Sequence, residues 1–149
     1  MKKLMMAAAV AALGITFWAG AADGPDSGVI FIDKDKVAAG FAKGGTLLNQ
    51  GAYQILTSRR VGPGQVEVHA LDSDIMYVTE GSATIVTGGT VEAGKTTAPH
   101  EIRGKSIKGG QSRHLTKGDV FIVPHAVPHW FSQVDQLVTY YVVKVRTGK

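Results

Sequence analysis

The chain has no cysteine, which excludes a disulfide framework, a thiolate metal site and a cysteine nucleophile together. Long hydrophobic runs are also missing. The one strongly apolar stretch, Leu4 to Trp18, falls short of the about 18–20 residues a membrane span requires. Lysines and arginines form no run, and the formal net charge is only +4. Taking away Lys2 and Lys3, with no acidic residue before Asp23, lowers that charge to +2, too weak a balance to argue for nucleic acid. There is no Gly-x-Ser-x-Gly. No glycine pair continues into Gly-Lys-Ser/Thr, or into Gly-x-Gly-x-x-Gly before a helix, so nucleophile-elbow and phosphate-loop chemistries find no support. At 149 residues the size is that of one domain with one core.

The N-terminus has the form of a targeting segment. Met1-Lys2-Lys3 is a positive leader, Leu4 to Trp18 an apolar core, and Ala19-Gly20-Ala21 a small-x-small cleavage site. The expectation is a signal peptide over residues 1–21 and an exported, periplasmic or secreted mature protein with no stable membrane anchor. Residues 22–50 then supply a polar leader, a short strand at Val29 to Ile32 and one helix. That helix, Asp33 to Lys43, has Val37, Ala38 and Phe41 as its apolar face, Asp33 or Asp35 as N-cap and Gly44-Gly45 as its stop. Gly40 in its interior argues against it.

Residues 51–149 read as β structure. Tyr53 to Val61 ends at Gly62-Pro63-Gly64, and Gln65 to Ala70 ends at the turn formers Asp72-Ser73-Asp74. Ile75 to Thr79 ends at Glu80-Gly81, and Ser82 to Thr87 at Gly88-Gly89. Ser112 to Thr116, Val120 to Val123 and Leu137 to Val145 follow. Short strands at this spacing predict an all-β sandwich or barrel. Thr90 to Gly110 reads as a polar loop, either a lid over the barrel mouth or an ungated surface loop, with His100 exposed at its centre. His114 reads as packing or surface. Arg59-Arg60 reads as an edge-strand charge pair, able to clamp an anion only if one arginine faces inward.

The stretch Gly118 to Phe131 (Gly-Asp-Val-Phe-Ile-Val-Pro-His-Ala-Val-Pro-His-Trp-Phe) has a turn pair, a short β-branched run, a proline stop and a histidine re-entering an apolar segment. It resembles the second conserved motif of the cupins: Gly, five residues, Pro-x-Gly, two residues, His, three residues, Asn. Gly118, Pro124 and His129 fall on their positions. Ala126 stands where the family has glycine, which questions the tightness of the corner, and Gln133 stands for asparagine. The resemblance implies a double-stranded β-helix (cupin or jelly-roll) barrel with one short N-terminal helix. Cupins commonly dimerise, so a homodimer is part of the expectation.

The first cupin motif reads His-x-His, three or four residues, Glu, six residues, Gly. Counted back from Gly81, this chain has Glu67-x-His69, four residues, Asp74, six residues, Gly81. Glu replaces the first His, and Asp replaces the Glu. Residues i and i+2 of a strand share a face, so Glu67 and His69 point the same way. With Asp74 and His129, they form the expected metal-ligating cluster. The extra carboxylate favours manganese or iron, with zinc or nickel as alternatives. Asp74, one methylene shorter than glutamate, is either the fourth ligand or reaches the metal only through water, in which case Glu67, His69 and His129 form a three-ligand face.

Trp130 and Phe131 read as core or pocket lining, and Met76 as core or a neighbour of the metal. His125, on the rim, and Glu67 are the proton-handling candidates. The resulting expectation is a barrel that binds one divalent metal and acts on or recognises a small molecule. If it is an enzyme, the chemistry is that of a metal-dependent dioxygenase-like oxidoreductase, isomerase or lyase. The alternative is a non-catalytic ligand-binding or structural module with no metal.

Overall fold

The structure, a computed structural model, describes residues 28–148; the signal-peptide reading lies outside them. Helix α1 (Lys34–Lys43) precedes eleven strands among these residues. They are β1 (Gly45–Asn49), β2 (Tyr53–Arg60), β3 (Val66–His69), β4 (Asp72–Thr87), β5 (Thr90–Glu92), β6 (Lys95–Ala98), β7 (Glu101–Gly104), β8 (Ser106–Lys108), β9 (Gln111–Thr116), β10 (Val120–Val123) and β11 (His129–Arg146). The fold is all-β, a curled double-stranded β-helix with one helix.

Asp33 caps α1, its carboxylate accepting from the amides of Asp35 and Lys36 at 2.9 and 3.0 Å. This contact with the first-turn amides holds the Asp33 carboxyl below its ordinary range. Val29 to Ile32 forms no strand, because the chain passes directly into this capped helix. Gly40 has a packing reason: a Cβ there would lie 2.7 Å from the Thr57 hydroxyl and 3.1 Å from Leu47. Its absence lets α1 sit close on β1 and β2, and Phe41 meets Tyr141 edge-on at 4.8 Å.

Two long strands form the spine. β4 and β11 pair antiparallel from His129 opposite Thr87 to Arg146 opposite Asp72. β2 flanks β11 over Val138 to Val145, while β9 and β10 flank the two halves of β4. The two β4 segments expected on either side of Glu80-Gly81 are therefore one strand, and Leu137 to Val145 is the second half of another. Asp72-Ser73-Asp74 starts β4 rather than forming a turn.

The reason lies in burial parity. Asp74, Met76 and Val78 are buried before the crease, and Ala83 and Ile85 after it. The inward set switches from even to odd at Thr79–Gly81, where the β11 register also shifts. A one-residue slip turns the opposite face inward. In sequence that break looks like a strand end. Gly81, at φ +73, permits the crease: a Cβ there would meet the Leu137 carbonyl oxygen at 1.8 Å.

The polar segment 90–110 is neither lid nor loop. β5 pairs with β8, and β6 pairs with β7. β7 in turn pairs with β3, so the insertion widens the sheet that carries the first motif. Its strands are too polar and short to show an apolar alternation, and they are held by backbone ladders.

The core centres on Ile85, Val78 and Val138, with Phe131 and Tyr140 stacked at 4.9 Å. Each fully buried aliphatic side chain contributes about 1.5–3 kcal/mol. On the outer face, Ile75, Tyr77, Val120 and Ile122 are exposed in two cross-strand pairs of β4 and β10.

The corner after β10 is tight with alanine rather than glycine at position 126. Ala126 takes φ +61, and its amide donates to the His69 carbonyl at 2.7 Å. A non-glycine residue in this left-handed region costs about 1–2 kcal/mol, partly offset by its smaller entropy loss on folding. Ala126→Gly should therefore raise stability by about 0.5–1 kcal/mol, and Gly81→Ala should lower it by about 3 kcal/mol or more. Urea unfolding of the two variants beside the wild type checks both signs. Opposite shifts are expected, and equal destabilisation by both would contradict the strain at Ala126.

Candidate metal centre

Strand alternation builds the centre. The inward residues of β2 are Gln54, Leu56, Ser58 and Arg60, and those of β11's second half are Tyr140, Val142 and Lys144. Each series is spaced by two, as one face of a strand requires. Asp72, Asp74 and Met76 come from β4, Glu67 and His69 from β3, and His129 from the start of β11. Together they enclose a cavity of about 310 Å³.

The structure brings Glu67, His69 and His129 together, one potential ligand atom from each lying within 4.8 Å of the others. Glu67 and His129 are direct cross-strand partners. His69 Nε2 stands 3.4 Å from Glu67 Oε2 and 3.5 Å from Asp74 Oδ2. Although His69 is only 8% exposed, this nitrogen has no hydrogen-bond partner. A buried, unpartnered polar atom costs about 1–3 kcal/mol unless something else binds it. His129 presents the same atom: its Nδ1 lies 3.3 Å from the Val127 carbonyl, which leaves Nε2 turned inward, 3.6 Å from Asp74 Oδ2. Burial lowers the pKa of His129 despite the opposing charges of Asp74 and Glu67. The neutral ring that results is the form able to ligate a metal.

Glu67 has its two oxygens divided between tasks. Oε1 takes Arg103 Nη1 at 2.6 Å and Arg60 Nη2 at 3.3 Å; Oε2 faces the two imidazoles. Burial opposes its ionisation, but the facing His69 ring, Arg103, His129 and Arg60 outweigh it and hold the carboxyl at about 2. Arg60 is itself fixed, its Nε donating to the Tyr140 hydroxyl at 2.6 Å and its guanidinium lying 5.0 Å from the Phe131 ring centre. Arg103 also pairs with Glu101, which lies 3.8 Å from His69 Nδ1.

Asp74 is buried, with Oδ2 directed at the imidazoles. Lys144 Nζ, however, contacts both its oxygens, at 2.7 and 2.9 Å. It thus stands beside the three-residue group with its charge already matched. His125 is placed elsewhere. Its exposed ring contacts the Thr147 hydroxyl at 3.1 Å, and it does not line the cavity. Phe131 and Met76 do line it, while Trp130 points to the other face of β11 and donates to the Gly64 carbonyl at 2.8 Å. His100 and His114 are exposed. Gln133, in the family's asparagine place, is exposed and donates to Asp135.

The cations around the cluster are what the sequence conceals. Arg60 is the inward member of its pair, and the alternation of β2 was the available signal. Lys144 shares a face with Tyr140 and Val142 inside a nearly continuous apolar run, where parity is hard to read. Arg103 and Glu101 lie in the segment that reads as a loop.

Lys144→Met should strand the Asp74 carboxylate. Loss of one partner from a buried ion pair costs about 3 kcal/mol. The metal-free variant should melt well below the wild type, and manganese should raise its melting temperature by more than it raises that of the wild type. Equal manganese shifts in the two proteins, followed by differential scanning fluorimetry, would show that Lys144 does not restrain Asp74.

Residues 47–148 match the sequence model of the family described as Cupin. No curated relative matches the chain in sequence. Among solved structures it resembles a protein from Neisseria meningitidis, at TM-score 0.53 and 13% identity, over 78% of this chain and 99% of that one. It also resembles a cupin superfamily protein from Desulfitobacterium hafniense, at TM-score 0.50 and 16% identity, over 70% of this chain and 77% of that one. Peruvianin-I, the cysteine peptidase of Thevetia peruviana latex, aligns at TM-score 0.44 and 18% identity over 64% of this chain, which spans only 51% of its length. At these identities the likenesses bear on the fold alone.

Proposed function

The chain belongs to the cupin family, and on that premise we propose that it binds one divalent metal ion through Glu67, His69 and His129 and engages a small molecule beside it. The observation that carries this reading is the buried His69 Nε2, unpartnered and turned toward a second imidazole and a carboxylate oxygen. Two neutral imidazoles and one carboxylate suit first-row metals that keep open positions, with manganese or iron favoured over zinc or nickel. Such an ion, when bound, polarises an oxygen donor of the small molecule.

The chain's own residues supply the rest. The Val127 carbonyl directs Nε2 of His129 inward, and the two arginines keep Glu67 ionised with Oε2 free. Phe131, Met76 and Leu56 give the otherwise polar cavity an apolar side. Asp74, held by Lys144 and 3.5–3.6 Å from both imidazole nitrogens, is the group positioned to accept a proton from a molecule bound there. His125 lies outside the cavity lining, its ring against the Thr147 hydroxyl. The reaction types consistent with this arrangement are a dioxygenase-like oxidation, an isomerisation and an elimination.

Metal analysis of the purified protein tests the reading. The wild type should hold about one ion per chain, with the metal lost in His69→Gln and His129→Gln while circular dichroism stays unchanged. A wild type that takes up no manganese, iron, zinc or nickel at its full stability would instead support the ligand-binding module without metal. Export belongs to the same proposal, supported by Lys2-Lys3, Leu4 to Trp18 and Ala19-Gly20-Ala21. N-terminal sequencing of protein recovered from a periplasmic or culture fraction should begin near Ala22; an intact Met1 in the cytoplasmic fraction alone would reject it.

A further inference from the structure

A single rung of cross-strand partners leads out of the metal centre. His129 lies opposite Glu67, Glu67 opposite Arg103, and Arg103 opposite Lys95. Partners on one rung share a face and stand side by side. The rung therefore runs from imidazole to carboxylate to guanidinium to ammonium across β11, β3, β7 and β6. Its last step sets two cations together, an arrangement that is destabilising on its own. Arg103 is matched by Glu67 and Glu101, which leaves Lys95 as the cation at the end of the rung without an ion-pair partner among the described residues.

The end of this rung opens on a second hollow of about 420 Å³. Lys95, Arg103 and Lys105 line it with Thr97, and no carboxylate does. Neither Lys95 nor Lys105 has an ion-pair partner among the described residues. Gly64 and Gly104 leave the hollow's wall without side-chain bulk. Gln65 and Arg103 belong to both this hollow and the metal cavity, so the two spaces adjoin across those residues.

We propose that this hollow is an anion subsite, and that the small molecule reaching the metal carries a carboxylate or phosphate group held by Lys95 and Lys105. The inference rests on the metal-site reading only for what lies at the other end of the molecule. The hydroxyl of Thr97 adds a donor, and an anion there supplies the counter-charge that Lys95 and Lys105 lack among the described residues. Two unpaired cations at a cavity mouth also raise the local concentration of anionic ligands, an effect that falls with ionic strength.

Isothermal titration with succinate and with inorganic phosphate, at low and high ionic strength, tests the subsite on the wild type, Lys95→Ala/Lys105→Ala and His69→Gln. At least one anion should bind the wild type, more weakly at high salt, and bind the double-lysine variant about tenfold or more weakly. That variant should keep the wild-type metal content and melting temperature. Whichever anion binds more tightly identifies the head group as carboxylate or phosphate. No binding of either anion to the wild type overturns the proposal, as does equal binding to the double-lysine variant. If neither the wild type nor His69→Gln holds metal while the lysine-dependent binding persists, the metal reading fails and the anion subsite stands.

Discussion

The architecture depends on one constraint: β4 and β11 must stay paired through a crease that reverses which face of each strand is buried. Backbone hydrogen bonds continue from one half of the ladder to the other, and the register slip at the crease changes the inward parity. Gly81 is the residue at which this happens, with the Leu137 carbonyl where any side chain would have to go. Because both strands cross the crease, residues from the two halves meet in one cavity. Asp74 and Lys144 come from one end of the ladder and His129 from the other.

Inside the cavity, charge matching decides what each carboxylate can do. The carboxylates of Glu67 and Asp74 face the same imidazoles, yet their partners differ. Two arginines bind one oxygen of Glu67 and leave the other turned inward, while a lysine takes both oxygens of Asp74. Among the described residues, the same residue class thus has one inward oxygen left without a cationic partner in Glu67 and none in Asp74. Burial makes these pairings matter, since an unmatched carboxylate at such a site is costly. Arg103, placed by the β6–β7 pair, lines both the cavity and the basic hollow.

Much of this was legible in order along the chain. Strand β10 has the bounds its β-branched run suggests, closed by Pro124, and α1 is capped by Asp33 and Gly44 as the capping rules require. The i, i+2 spacing of Glu67 and His69 puts them on one face of their strand. The crease was less readable, because a parity change and a strand end leave the same mark in sequence. Arg103 and Glu101 were hidden because β6 and β7 carry no apolar alternation.

By itself, the sequence determined the strand-forming runs, the glycine and proline corners, and the identity of Glu67, His69 and His129 as a group able to meet. The runs, the corners and the shared face of Glu67 and His69 follow from local backbone preference and a period of two, while the place of His129 beside them follows from the resemblance to the two cupin motifs. Tertiary structure alone decided that Asp74 is matched by Lys144, that Glu67 is shared between arginines and imidazoles, and that His125 stays outside. It also gave the polar insertion its strands. The physical reason is common to all four: ion pairing, burial and cross-strand register depend on residues far apart in the chain, which come together only when β4 and β11 close the ladder.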